Sequence, residues 1–151
     1  MLQWKSNLVT LVACIMISAL LVTSCGNERE ENLDTGRWYT SAQVQRGNLL
    51  FQANCAVCHG EQAQGLAEDW RIRDSAGNFP PPPLNGTAHA WHHPLAVLDQ
   101  VIASGGIPYG GTMLGFGEQL DREERLEVIA YFQSLWSDDI YQSWLQIDAQ
   151  Q

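Results

Sequence analysis

The sequence predicts an all-α protein, on the basis of helical periodicity and of the lack of strand patterns. Apolar residues recur at helical spacing in three segments, at about residues 41–58, 94–104 and 121–136. Each segment has a residue suited to start a helix, and no alternating apolar run is longer than four residues. With 151 residues and no internal repeat, the chain has room for one hydrophobic core.

The first 24 residues are predicted to be an export signal. Lys5 precedes an apolar run, Leu8–Val22, which is too short to cross a bilayer comfortably. The junction Val22-Thr23-Ser24-Cys25 resembles the lipobox of bacterial lipoproteins, which is cleaved before a cysteine that is then diacylated. We therefore expect residues 1–24 to be removed and Cys25 to carry lipid. The alternative is an uncleaved anchor helix in which the cysteine is incidental.

Residues 25–40 are predicted to form an acidic, flexible tether, followed by a domain over residues 41–151. Removal of the signal would leave 127 residues with no lysine, and 7 Arg against 17 Asp and Glu give a formal charge of −10. Such a surface is repelled by nucleic acid and attracted to basic patches on partner proteins. We expect a lipid-anchored protein of the bacterial periplasm, with Gly26 after the lipidated cysteine favouring the outer membrane.

The first helix of the domain is predicted to begin with Ser41 as its N-cap and to run toward Cys58. Val44, Gly47 and Phe51 lie on or near one face of it. A glycine inside a helix costs about 1 kcal/mol relative to alanine, so Gly47 indicates a close approach by another helix.

The run Cys55-Ala56-Val57-Cys58-His59 is the most informative part of the chain. C-x-x-C-H is typical of the covalent attachment of a c-type haem. Two thiols three positions apart lie on one face of a helical turn, so both can add to the vinyl groups of one porphyrin. His59 is then predicted to be the proximal iron ligand. A zinc site or a thioredoxin-like motif would need ligand pairs or a βαβ context that the sequence lacks.

Met113 is the predicted second axial ligand of the iron. It would be the only methionine left after the signal is removed, and it lies in an aperiodic, glycine-rich loop that could reach the iron. A thioether ligand raises the reduction potential relative to two histidines. A second histidine and an iron with a free sixth position remain the alternatives.

Three histidines, His89, His92 and His93, surround Trp91. They could bind a transition metal such as copper, bond to the haem propionates, cap the helix that follows, or lie on the surface. We expect Trp91 to pack beside the edge of the haem.

Two further helices and an extension complete the prediction. Pro94 suits the first position of a helix that stops at Gly105, and Asp121 with Glu124 forms the capping pattern of the last long helix. Residues 137–151 carry apolar residues at i, i+4 and i+7, which predict a short helix laid on the domain or a docking face for a partner.

Residues 41–136 resemble the class I monohaem cytochromes c. In that family the first and last helices cross, and a glycine and an aromatic residue of the first meet an aliphatic and an aromatic residue of the last. Gly47 and Phe51 match on the first helix, and Val128 and Tyr131 match on the last. The family also places its axial methionine where Met113 stands, commonly before a proline, whereas this chain has Leu114.

The resemblance also implies a hydrogen bond that orients the haem-ligating histidine. In the family a proline carbonyl accepts it, and the stiff run Phe79-Pro80-Pro81-Pro82-Pro83-Leu84 provides the candidates here. We predict that Pro83 accepts this bond and that Leu84 packs against the haem ring. The alternative is that the run is only a linker.

The expected function is therefore that of a periplasmic electron carrier, not an enzyme, with one covalent haem c. Its partners would be redox proteins, the membrane through the lipid, and no nucleic acid. One alternative is a subunit of a larger respiratory or dehydrogenase complex. Two other alternative functions remain. The protein could be a haem sensor or small peroxidase, or it could be a metal-delivery lipoprotein that uses the histidine cluster.

Overall fold

The structure, a computed structural model, describes residues 36–150, and the regular secondary structure in this part of the chain is entirely helical. The predicted signal, Cys25 and most of the predicted tether lie outside these residues. The described chain contains no β-strand, so the all-α prediction is confirmed. It forms five α-helices in chain order: α1 Ser41–Asn54, α2 Ala56–His59, α3 Leu95–Ser104, α4 Arg122–Ser134 and α5 Asp138–Asp148. Two 3-10 turns, Ala90–His92 and Ile107–Tyr109, precede and follow α3.

The N-cap of α1 is Thr40, so the prediction of Ser41 was wrong by one residue. The Thr40 hydroxyl accepts a hydrogen bond from the backbone N–H of Gln43 at 3.1 Å. The Gln43 side chain accepts one in return from the Thr40 N–H at 2.9 Å. Only Thr40 has a Gln or Glu three residues further on, since Ser41 is followed by Val44 at that spacing. The reciprocal pair of bonds therefore selects threonine, although serine is by itself the slightly better N-cap.

Helices α1 and α4 cross at Gly47, as the resemblance to the class I cytochromes c implies. A Cβ on Gly47 would lie 1.8 Å from the backbone oxygen of Glu127, which no side chain could tolerate. Beside the crossing, the rings of Phe51 and Tyr131 lie 5.0 Å apart. Val128 is buried in the same contact. Gly47 is thus required by helix contact, which explains a residue that otherwise disfavours a helix.

Capping sets the ends of α3 and α4. Asp121 and Glu124 form the predicted capping box at the start of α4, with bonds of 3.0 and 2.9 Å. Pro94 has an extended backbone and is the N-cap of α3, not its first helical residue as predicted. Gly105 ends α3 with a φ of +80°, a conformation that favours glycine.

Helix α5 is laid on the domain, as one of the two interpretations of the C-terminal extension had it. Tyr141 and Trp144 are both 1% exposed. The Trp144 indole N–H donates to the carbonyl of His93 at 2.9 Å, and Asp148 accepts from the Leu95 N–H at 2.7 Å. Helix α5 thereby covers the segment that leads into α3.

Within the described residues, the chain already packs at Arg37, four residues before the domain start predicted from the sequence. The Arg37 guanidinium lies 3.8 Å from the centre of the Tyr141 ring and 2.6 Å from Asp138. The Trp38 indole donates to Gln133 at 2.7 Å, and Tyr39 is buried. Residues 37–39, assigned to the tether from the sequence, therefore pack against α4 and α5, and Thr40 caps α1.

Candidate functional site

Cys55, Cys58 and His59 are brought together by the junction between α1 and α2. The carbonyl of Cys55 accepts hydrogen bonds from the Cys58 N–H at 3.1 Å and from the His59 N–H at 2.9 Å. Neither cysteine forms a disulfide, and Cys55 is buried whereas Cys58 is exposed. Burial, and secondarily the neighbouring Cys58, raises the pKa of the Cys55 thiol to about 11. The two thiols needed for two thioether bonds thus lie within one turn, followed directly by the imidazole.

The His59 imidazole is buried and has a defined tautomer. It is 8% exposed, and its Nδ1 lies 2.8 Å from the carbonyl oxygen of Pro82. Burial lowers the pKa of His59, while the bond to Pro82 opposes that shift in part. A carbonyl can only accept, so the neutral ring donates from Nδ1 and keeps the lone pair of Nε2. An imidazole in this state is suited to bind a metal through Nε2.

The acceptor of the His59 bond is Pro82, and the prediction of Pro83 was wrong by one residue. The carbonyl of Ala63 accepts from the Leu84 N–H at 2.7 Å and from the Asn85 N–H at 3.1 Å. These bonds fix the register of the proline segment. Successive carbonyls of an extended proline segment point about 120° apart, so only one of three consecutive carbonyls can face a given ring. Pro83 itself is buried.

Leu84, which was predicted to pack on the haem ring, is half-buried. It packs against the hydrophobic core, and its carbonyl accepts a hydrogen bond from the Trp136 indole at 2.7 Å. Sequence analysis selected the wrong member of the proline run and gave no role to Ala63 or Trp136 in this arrangement. The prolines alone gave no signal for the register, because they are chemically alike.

Met113 lies in the loop between the second 3-10 turn and α4. The loop is held against the end of α3 by bonds from Phe116 N–H to Ile102 at 2.8 Å and from Gly117 N–H to Ala103 at 3.0 Å. The carbonyl of Met113 accepts from the Gly106 N–H at 2.9 Å. The side chain of Met113 is half-buried against the core. A constrained loop thus holds the only methionine of the described chain.

The side chains present fit a covalently held haem. Two free thiols on one turn, followed by a neutral imidazole with a free Nε2, are the donor set that covalent attachment and proximal ligation require. Several half-buried apolar side chains pack against one core and offer a hydrophobic surface, namely Leu84, Trp91, Leu95, Met113 and Phe116. The residues therefore suit a flat, apolar group fixed at Cys55 and Cys58.

The histidine cluster does not form a metal site in the described chain. The His89 ring stacks on the Trp70 ring with 4.9 Å between their centres. The His93 ring meets the His89 ring edge-on, with 5.5 Å between their centres. Burial, with a smaller contribution from neighbouring histidines, lowers the pKa of His89 and of His93. Within residues 36–150, no group of three or more His, Cys, Asp or Glu is arranged to hold a metal ion. Trp91 contacts the ring of His92 edge-on at 3.9 Å.

Among residues 36–150, no helix has the length and apolar character needed to span a membrane.

Fold and site together define a class I monohaem cytochrome c: crossing helices around one core and a single C-x-x-C-H turn with its imidazole oriented. Comparison with known sequences agrees, because the cytochrome c family matches residues 44–136. The chain belongs to the cytochrome c family. It therefore carries one covalently bound haem c, for which Cys55 and Cys58 provide the attachment motif.

One characterised relative is cytochrome c-551 of Bacillus subtilis (strain 168). It is 36% identical to this chain over 64 residues, which cover 42% of the chain and 56% of that relative. The chain thus spans about half the length of the relative that it matches. No solved structure matches the chain significantly.

Proposed function

We propose that this cytochrome c is a single-electron carrier whose iron is held by His59 and Met113. The observation that carries the proposal is the neutral His59 imidazole with Nδ1 bonded to Pro82, in a domain whose one methionine sits in a constrained, half-buried loop. Cytochromes c act with redox partner proteins, and a transient partner that binds near the attachment turn suits that role.

The residues supply binding and orientation, while the bound haem supplies a reversible one-electron change at iron. Cys55 and Cys58 hold the group covalently, and the Pro82 carbonyl keeps the His59 ring in one tautomer and orientation. The Met113 thioether favours the reduced state and so raises the potential. Two protein ligands leave no position for a substrate, which favours a carrier over an enzyme.

The membrane attachment is also part of the proposal. The lipobox-like junction before Cys25 supports export and lipidation, and the acidic segment after it supports a flexible tether. We propose a periplasmic protein that the lipid holds on a membrane, with the outer membrane favoured. The formal charge of −9 for the whole chain supports a redox partner with a basic surface.

Carbon monoxide distinguishes the carrier from its main rival, a sensor or peroxidase, because it binds ferrous haem only where a coordination position is free. The reduced wild-type protein should bind carbon monoxide slowly or not at all. Absorption spectroscopy monitors this binding. Rapid binding would contradict the electron-carrier function and favour a sensor or peroxidase. A subunit of a larger complex would instead show a stoichiometric partner after mild detergent extraction.

A further inference from the structure

Two segments are linked to each other by hydrogen bonds around His59. One is the turn of residues 59–65 after the attachment motif, and the other is the proline segment of residues 80–84. The Gly65 N–H donates to the His59 carbonyl at 2.7 Å, which closes the turn. The Leu84 N–H donates to the Ala63 carbonyl at 2.7 Å, which ties the proline segment to the turn. The third bond is that from His59 Nδ1 to the Pro82 carbonyl at 2.8 Å. The distance between the imidazole and its acceptor thus depends on how the proline segment sits on the turn.

Two residues of the turn have left-handed backbones. Ala63 has a φ of +54° and is completely buried, and among the non-glycine residues of the described chain it alone has a positive φ. Gly65 has a φ of +74°, and a Cβ built on it would lie 3.1 Å from Cδ and 3.2 Å from Cγ of Pro83. The Pro83 ring therefore rests on the bare Cα of Gly65. A side chain at residue 65 would press on the residue next to the acceptor of the His59 bond.

The length of that bond matters for the iron ligand. Donation from Nδ1–H to a carbonyl makes the imidazole a stronger electron donor to a metal, and the effect weakens as the hydrogen bond lengthens. A stronger donor stabilises ferric iron more than ferrous iron and so lowers the midpoint potential. Any residue that sets the distance between Pro82 and His59 thereby acts on the potential without touching the haem.

We propose that Gly65 is a positioning residue for the iron ligand. Because Gly65 lacks a Cβ, Pro83 can pack close to the turn. This close packing sets the strength of the hydrogen bond between His59 and Pro82. The strength of that bond in turn affects the midpoint potential of the haem. The inference rests on the proposed ligation of iron by His59. Gly65 would thus influence the midpoint potential although it lies outside the attachment motif.

The test compares Gly65→Ala with Gly77→Ala in the haem-loaded protein. Both glycines have a positive φ, +74° and +84°, but a Cβ on Gly77 would meet nothing within 4 Å. The two variants therefore share the backbone penalty, and only Gly65→Ala displaces a neighbour. Gly65→Ala should raise the midpoint potential, shift the NMR resonance of the His59 Nδ1 proton and speed its exchange with solvent. Gly77→Ala should lose some stability and leave all three quantities at their wild-type values.

Equal potentials and equal Nδ1 proton resonances in wild type and Gly65→Ala would overturn the proposal. If Gly65→Ala does not fold, Pro83→Ala gives the same decision, because it removes the ring that rests on Gly65 and should shift both quantities away from wild type. Failure of the underlying ligation has a different signature. A His59→Gly variant with an unchanged haem absorption spectrum would show that His59 does not bind the iron, whatever the glycine variants do.

Discussion

At the scale of single residues, the chemistry depends on polar groups that the fold fixes in place. His59 shows this most clearly, since burial lowers the pKa of its ring and one carbonyl determines which nitrogen donates. Met113 is held through the backbone of its loop, where its carbonyl accepts a hydrogen bond from the Gly106 N–H. Backbone groups therefore position both proposed ligands, His59 through the Pro82 carbonyl and Met113 through the bonds of its loop.

A buried tyrosine gives the fold a dependence on high pH. Desolvation raises the pKa of Tyr39 to about 12, although Arg37 acts in the opposite direction. In the unfolded state the tyrosine loses its proton near pH 10, whereas in the folded state it stays protonated. Deprotonation therefore stabilises the unfolded state relative to the folded state as the pH rises. The stability from this group is complete below about pH 10 and is lost as the pH rises toward 12.

We expect the free energy of unfolding to fall over that pH range in the wild-type protein and to fall less in Tyr39→Phe. Urea unfolding followed by circular dichroism at several pH values measures it. Tyr109→Phe is the control, because Tyr109 is exposed. Equal pH dependence in both variants would show that Tyr39 does not contribute.

At the scale of elements, the contact between α1 and α4 holds the attachment turn on the core. Helix propensity alone predicts that Gly47→Ala stabilises the protein by about 1 kcal/mol. The contact with the Glu127 backbone predicts the opposite, because a Cβ there would force the helices apart. We expect the steric effect to dominate and to cost about 3 kcal/mol.

Thermal or urea unfolding of Gly47→Ala measures that loss directly. Gln45→Ala, at an exposed position of the same helix, is the control and should change stability by less than about 0.5 kcal/mol. A Gly47→Ala protein as stable as wild type would refute the close contact.

The sequence was informative where local patterns decide the structure and less so where distant backbone contacts do. Asp121 and Glu124 form the predicted cap because a capping box involves only four residues. The choice of Pro82 over Pro83 depends instead on bonds from Leu84 and Asn85 back to Ala63. Alanine gives no sequence signal for a left-handed backbone, so this register could not be predicted. The apolar spacing in residues 137–151 predicted a helix, but not that it would cover the carbonyl of His93.

At the scale of the whole molecule, the chain joins an acidic, haem-binding domain to an N-terminal segment with the features of a lipidated export signal. In the described domain, Arg37 contacts Asp138 and Tyr141. If Cys25 is lipidated, residues 26–36 separate the lipid from the packed domain.

Cys25→Ala should therefore release the protein from the membrane without changing its haem spectrum, because the anchor and the haem site lie in separate parts of the chain. Fractionation of cells into membrane and soluble parts, together with mass spectrometry of the N-terminus, measures the effect. A wild-type N-terminus that is intact at Met1, or that carries no lipid, would refute the anchor.

The central claim is that Met113 completes the iron site, and the spectrum of Met113→Ala tests it most directly. The wild-type ferric protein should show the weak long-wavelength charge-transfer band of an iron–thioether bond. Met113→Ala should lose that band, have a lower midpoint potential and bind carbon monoxide readily, whereas Met113→His should regain six-coordination without the higher potential. An unchanged spectrum in Met113→Ala, with a changed one in an alanine variant of His89, His92 or His93, would contradict the account and make that histidine the second ligand.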